Sequence, residues 1–420
     1  MKTAQGLAAL VLVGAIVSGC TGQAAAGAEA TSAASRAPVA AGDASKAAGD
    51  MNAFGFDFYK AALTSGDNAV VSPASILLAL SMARVGAAGQ TASQMNTVLH
   101  SPSPSALNSL DQALAGLSGT FKDQESKDYE VTLRIANAPF AQRDYKFVQA
   151  FLDTLASQYG AGIRLVDFKA DSAGAVRDIN KWVSDKTEAR IPELLDKLDP
   201  ATRLVLVNAI YMKAPWLAPF PESATEPAPF TRLDGSKVSV PTMKETVHDG
   251  LYASGSDWQA VELPYMGGSL AMTIVVPQDL AAFEKTLSAT RFAEITDALH
   301  QTYLSLSLPR FKAETKSELS AALATMGMPL AFDPNKADFS GITTQEPLHI
   351  SKVVHQANIS VDEKGTEASA ATAVVMMAGA APGPQQEPMV VHVDRPFIFA
   401  VRDTKTGAIL FLGRVVDPSI

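Results

Sequence analysis

Between Val361 and Met377 the chain reads Val-Asp-Glu-Lys-Gly-Thr-Glu-Ala-Ser-Ala-Ala-Thr-Ala-Val-Val-Met-Met, and this run constrains the fold more than any other segment. Counted at period two from Thr366, one face holds Thr366, Ala368, Ala370, Thr372, Val374 and Met376. None of these is charged and most are small. The opposite face carries Glu367 and Ser369. Such alternation suits a strand with one buried face. The same residues also suit an Ala-rich helix, because Ala has the highest helix propensity. The next stretch is neither strand nor helix: Ala378-Gly379-Ala380-Ala381-Pro382-Gly383-Pro384-Gln385-Gln386-Glu387-Pro388 is a polar loop punctuated by Pro and Gly. A segment patterned as a buried strand and tied to such a loop is compatible with two states.

The length of 420 residues, with 47% hydrophobic and 18% charged, allows one large domain or two ordinary ones. A net charge of −9 gives no support for a nucleic-acid surface. At the N-terminus Lys2 precedes the apolar stretch Leu7 to Val17, which leads into Val17-Ser18-Gly19-Cys20. About eleven apolar residues are too few for a permanent span and suit the core of a signal peptide. The closing Cys20 resembles a bacterial lipobox, with Val17 where Leu is usual; an ordinary signal peptide with an incidental Cys is the alternative. Cys20 is also the sole cysteine, so no disulfide can form within the chain. Residues 21–50 are mainly Ala, Gly and Ser and read as a flexible tether reaching about 30 Å. The expected organisation is therefore a lipoprotein signal peptide over 1–20, a tether over 21–50, and a single domain over 51–420. Localisation is expected to be extracytoplasmic, lipid-anchored through Cys20 at the outer membrane or cell surface.

From Met51 onward periodic structure begins. Phe54, Phe58 and Ala62 share a helical face. Ser72-Pro73 opens a second helix with Ser as N-cap, ending near Gly86. Thr91-Ala92-Ser93-Gln94 reads as a capping box for a third. Phe147, Phe151 and Leu155 mark another, and Val176, Ile179 and Val183 one more. Strands then dominate. Leu204 to Met212 is almost wholly apolar, as in a strand covered on both faces, with Asn208 in its middle needing partners. Leu263 to Val276 reads as a hairpin around Gly267-Gly268. Leu304 to Phe311 alternates, Lys316 to Met326 reads as a helix stopped by Gly327, and three strands close the chain: 389–393, 396–401 and 408–415. Helices come early and strands late, without βαβ alternation, which indicates an α+β domain.

Motifs for catalysis are missing. Gly267-Gly268-Ser269-Leu270-Ala271 lacks the second Gly of a nucleophile elbow. There is no His-Glu-x-x-His, no Walker loop, and the six His have no metal-ligand spacing. An enzyme, a metal and a cofactor are not expected.

Five segments, in order, resemble the serpin family. Asn68 to Ile76 is similar to its N-x-x-x-S-P-x-S-I segment. Ile179-Asn180-Lys181-Trp182-Val183, with Thr187 and Ile191-Pro192, resembles I-N-x-W-V…T…I-P. Val207 to Lys213 with Trp216 resembles N-A-x-Y-F-K-x-x-W. Leu308-Pro309-Arg310-Phe311 resembles L-P-K/R-F, and Asp394-Arg395-Pro396-Phe397 resembles the motif just after the reactive loop. The likeness covers Met51 to Ile420 and implies an α+β serpin fold with about three β-sheets, eight or nine helices and an exposed reactive loop.

The likeness also interprets the run from Val361 to Met377. Glu363, Gly365, Thr366, Glu367, Ala368, Ser369, Ala370, Ala371 and Thr372 resemble the serpin hinge E-x-G-T-E-A-x-A-A-T. It implies a bait loop that a protease cleaves, after which the hinge inserts as a new strand of the large sheet and the acyl-enzyme stalls. Insertion of strands and release of stored strain are general devices. The partner implied is a serine protease, or a cysteine protease, trapped covalently by a monomer. By the usual spacing the scissile bond comes after Gly379; the loop is longer than usual, so Met377, Ala378, Gly379 and Ala380 are all candidates. Their small apolar character suits elastase-like or subtilisin-like enzymes. Ser72, Ser75, Asn208 and His355 are implied to form a hydrogen-bond cluster where the sheet opens, and Arg310, facing Glu363, lies with Trp216 at its upper end. A non-inhibitory serpin-fold binding or chaperone-like protein is the alternative; relatives of that kind carry bulky, charged or Pro residues in the hinge, and between Gly365 and Thr372 only Glu367, on the outward face, is charged.

Overall fold

The computed structural model describes residues 28–62, 66–100, 102–123, 125–367 and 387–419. The first helix runs Asp43–Ala62 and buries Ala47, Ala48, Met51, Phe54 and Phe58. It thus begins before Met51. Upstream of it, Glu29–Ala30 pairs antiparallel with Ile163–Val166 at a sheet edge. The Ser32 hydroxyl donates to Asp153, and Arg36 donates to Asn108 and Asp111, both at 2.6 Å. The Ala37 N–H donates to the Ser157 carbonyl at 2.8 Å. The expected tether over 21–50 is therefore corrected: from residue 28 the chain is docked on the body. Small side chains cannot build a core, but the backbone of such residues still completes a sheet edge, and Arg36 supplies the anchor that composition alone overlooks.

The helix Pro73–Val85 is capped as expected, the Ser72 side chain accepting from the Ser75 N–H. The next helix, Gly89–Val98, has Ala88 at its N-cap with no side-chain bond. The capping box read at Thr91 is thus overturned: the Thr91 hydroxyl instead accepts from the Asp338 N–H, a distant tertiary bond. Similarly, Lys316 lies near the end of the strand Phe311–Glu318 and the helix is only Ser320–Met326.

Nine α-helices are present among the described residues, with two hydrogen-bonded sets of strands. The eight-stranded sheet runs Glu29–Ala30, Ile163–Val166, Asp128–Gln142, Leu204–Pro215, Gly365–Thr366, Lys352–Asp362, Phe311–Glu318, with Gly119–Lys122 paired to Asp128–Gln142. The nine-stranded set holds the hairpin Trp258–Pro264 with Leu270–Pro277 and the C-terminal strands Phe397–Asp403 and Ile409–Val415. The long strand Lys237–Ser254 pairs with both His300–Pro309 and Trp258–Pro264, so it joins what would otherwise count as two sheets.

The strand Leu204–Pro215 explains its own composition. Leu204, Leu206, Ile210 and Met212 enter the main core with the helix Pro73–Val85. Val205, Val207 and Ala209 enter a second core with Ile179 and Val183 of the helix Ser172–Lys186. Both faces are covered, so nearly every position is apolar. Asn208 lies in the period of the first face.

Candidate functional site

The site is the seam between Leu204–Pro215 and Lys352–Asp362. These strands pair directly and in parallel over six residue pairs, from Lys352↔Val205 to Ala357↔Ile210. Above that they part, and Gly365–Thr366 lies between them, antiparallel to both. The hinge has therefore entered the sheet at its upper end. Gly365 is required there. Its φ is +145°, and a Cβ would stand 2.2 Å from the Ala214 carbonyl oxygen. Thr366 is 1% exposed, and its hydroxyl lies 2.6 Å from that of Tyr265. The Tyr265 ring stacks on Trp216 with centroids 4.4 Å apart.

A net of bonds fixes the turn that feeds the hinge. The Trp216 indole N–H donates to the Asp362 carbonyl at 3.0 Å, and its backbone N–H to the Lys364 carbonyl at 2.8 Å. The Asp362 carboxylate accepts from the N–H groups of Lys364 and Gly365. Arg310 grips Glu363 bidentately, Nε at 2.8 and 2.9 Å from the two oxygens, so the pairing expected from sequence is present. Glu363 is 3% exposed. Burial alone would raise its pKa, but the bonds from Arg310 and Thr225 carry it below the ordinary value. Burial pushes the Asp362 carboxyl up.

Lower on the seam, Ser72, Ser75, Asn208 and His355 are brought together, all fully buried. His355 and Asn208 stand opposite each other in register. The Ser72 N–H donates to His355 Nε2 at 3.2 Å, so Nε2 bears no proton. The hydrogen is on Nδ1, which donates to Asn208 Oδ1 at 2.5 Å. The Ser75 hydroxyl donates to Asn137 Oδ1 at 2.9 Å. Asn137, the register partner of Asn208 on the next strand, is a member that sequence reasoning missed. Its signal was a local version of the one that revealed Asn208, an amide inside the apolar stretch Ile135–Ala141.

Burial lowers the His355 pKa to about 3. The folded value lies below the unfolded one, so the stability this neutral ring gives is complete above pH 6.5 and is lost as pH falls toward 3. Between pH 7 and pH 4 this single group should cost about 3 kcal/mol. Denaturant melts at the two pH values should show that loss in the wild type and a smaller one in His355→Gln. Parallel pH profiles for the two proteins would contradict it.

Glu367, expected on the outward face, is half-buried. It has a φ of +47°, and its N–H donates to the Ser360 carbonyl at 3.0 Å. Burial raises its pKa, partly offset by Arg190 and Lys312. Tyr265 and Arg190 gave no sequence signal: one comes just after a hairpin strand, the other sits in a turn after a helix. Ala368, Ser369, Ala370, Ala371 and Thr372, the scissile candidates Met377 to Ala380, and Cys20 lie outside the described residues.

A family model for serpins, serine protease inhibitors, matches residues 50–418. The chain belongs to the serpin family. An uncharacterized serpin-like protein of Thermococcus kodakarensis is 39% identical over 88% of this serpin and 85% of its own length. Leukocyte elastase inhibitor A of Rattus norvegicus is 36% identical over 84% of this chain and 93% of its own. Among solved structures, the thermophilic serpin tengpin in its native state superposes with a TM-score of 0.80 at 28% identity, covering 94% of this serpin and 100% of tengpin. The family consists of protease inhibitors together with some non-inhibitory members, rather than catalysts. Along the seam the structure places the Ser72, Ser75, Asn208 and His355 cluster below and the seated pair Gly365–Thr366 above.

Proposed function

We propose that this serpin is an irreversible suicide-substrate inhibitor of extracytoplasmic serine proteases. The observation that carries the reading is the hinge already seated as Gly365–Thr366 between two strands that remain zipped below it. The protease serine attacks a carbonyl within Met377 to Ala381, the peptide bond breaks, and the new amine leaves with the C-terminal segment. The acyl ester remains on the hinge side. Freed at its distal end, the hinge continues downward antiparallel to both walls, with Ala368, Ala370 and Thr372 trailing Thr366 on the inward face. Small uncharged residues cross the seam without clash or desolvation of charge. The protease is drawn along, and its distorted site fails to release the ester.

The small residues at the candidate bond, and kinship with leukocyte elastase inhibitors at 36% identity, favour elastase-like or subtilisin-like targets. Val17-Ser18-Gly19-Cys20 favours a lipid anchor at the cell envelope, the serpin acting there as a monomer. The test is incubation with elastase-like and subtilisin-like proteases, then denaturing electrophoresis. A covalent complex is expected, and the fragment released from it should begin between Ala378 and Ala381. Quantitative loop cleavage with no complex would overturn the inhibitory reading in favour of a non-inhibitory serpin.

A further inference from the structure

Beneath Thr366 the seam stays open before it closes. Direct pairing of the two walls ends at Ala357↔Ile210, while the hinge occupies Ala214 and Pro215 on one side and Val361 and Asp362 on the other. Residues 211–213 and 358–360 therefore face one another without pairing. Glu367 stands at the head of this wedge in a left-handed conformation, which a residue with a side chain adopts when its surroundings impose it. One of its carboxylate oxygens is buried without a hydrogen-bond donor and lies 3.5 Å from Arg190 Nε.

Arg190 is itself held. Its guanidinium lies 5.8 Å from the centroid of the Tyr211 ring, and Tyr211 belongs to the wall that bounds the wedge. The turn that carries it has two consecutive left-handed residues, Glu188 at +53° and Ala189 at +60°. That turn is pinned by the Ala189 N–H on the Ser184 carbonyl and the Arg190 N–H on the Thr187 carbonyl. Glu188, in the same turn, pairs with Arg134 at 3.7 Å. Two strained backbones thus meet across one ion pair.

We propose that Arg190 is a positioning residue: seated over Tyr211, it anchors Glu367 and so holds the uncleaved hinge two residues deep in the sheet. The consequence for inhibition rests on the proposed trap. A hinge already started begins its descent sooner after cleavage, in a race against deacylation. The anchoring itself is a property of the uncut protein and is measured without any protease.

Hydrogen exchange of the hinge peptide, measured by mass spectrometry, reads the Thr366 and Glu367 amides. Arg190→Ala and Glu367→Gln should each quicken their exchange on the order of two- to fivefold, the range of a partly exposed ion pair. The double variant should be no faster than either single one, and Arg190→Lys should keep part of the protection. Molar salt should quicken exchange in the wild type but not in Arg190→Ala. Unchanged exchange in Arg190→Ala, or additive effects in the double variant, would overturn the anchoring. If exchange responds as expected but no protease is ever trapped, the anchoring stands and the trap falls. If proteases are trapped but exchange ignores Arg190, the reverse holds.

Discussion

Cutting the loop between Met377 and Ala381 is expected to raise the melting temperature of this serpin by roughly 10 °C or more. Insertion breaks a direct parallel ladder of six residue pairs and replaces it with two antiparallel ladders, one on each wall, which are slightly the stronger kind per residue. Between 211–213 and 358–360 the two walls share no ladder to break, so the new bonds there are gain beyond the Glu367–Ser360 bond already made. A strand of about ten residues then brings on the order of 10 kcal/mol of net hydrogen bonding. Unfolding a body this large carries an entropy of about 0.8 kcal/mol/K, which converts that gain to roughly 13 °C. The measurement is a calorimetric scan of intact and nicked protein, with the nick made by a protease that is then removed. Equal melting temperatures would mean that the freed hinge does not enter the seam, and the mechanism proposed for inhibition would lose its driving force.

How much of this could be read from the residues depends on the kind of signal each carries. Leu204–Pro215 was legible because burial on two faces leaves almost no freedom in composition, and Asn208 was legible as the exception within it. The same rule applied to the short apolar stretch Ile135–Ala141 within the strand Asp128–Gln142 would have found Asn137. Ser72 was legible because an N-cap next to Pro is a local device. Thr91 misled for the converse reason: a hydroxyl three residues before Gln looks local, yet it serves Asp338 from across the fold. The docked segment from residue 28 was hidden because its stabilisation comes from backbone pairing and one Arg36, neither of which registers in an Ala/Gly/Ser composition. Tyr265 and Arg190 were hidden because their contacts with Thr366 and Glu367 exist only in the folded sheet. No spacing in the chain relates Thr366 to Tyr265, or Glu367 to Arg190.

On the proposed mechanism, Thr366→Arg is expected to leave this serpin an ordinary substrate of the protease. Thr366 is the first residue with a side chain in the inserted register, and its hydroxyl meets Tyr265 in a fully buried place. Burial already drives the Tyr265 pKa far up, which marks a setting hostile to charge. The buried carboxylate of Glu363 nearby is occupied on both oxygens by Arg310. A guanidinium at position 366 would therefore enter the sheet without an acid partner, at a cost of at least about 3 kcal/mol. If that cost is felt in full on the way to insertion, the step slows about a hundredfold, and hydrolysis of the acyl-enzyme overtakes it. The uncut variant should melt close to the wild type, since the hinge can swing out and leave the zipped seam below intact. Its nicked form should lack the rise in melting temperature expected of the wild type, and Thr366→Ser, which keeps the hydroxyl on Tyr265, should behave as wild type in both respects. Electrophoresis after incubation with the target protease then decides the matter. Cleaved monomer in place of complex is the expected pattern, whereas undiminished covalent complex from Thr366→Arg would mean that this face of the hinge never passes beneath the sheet.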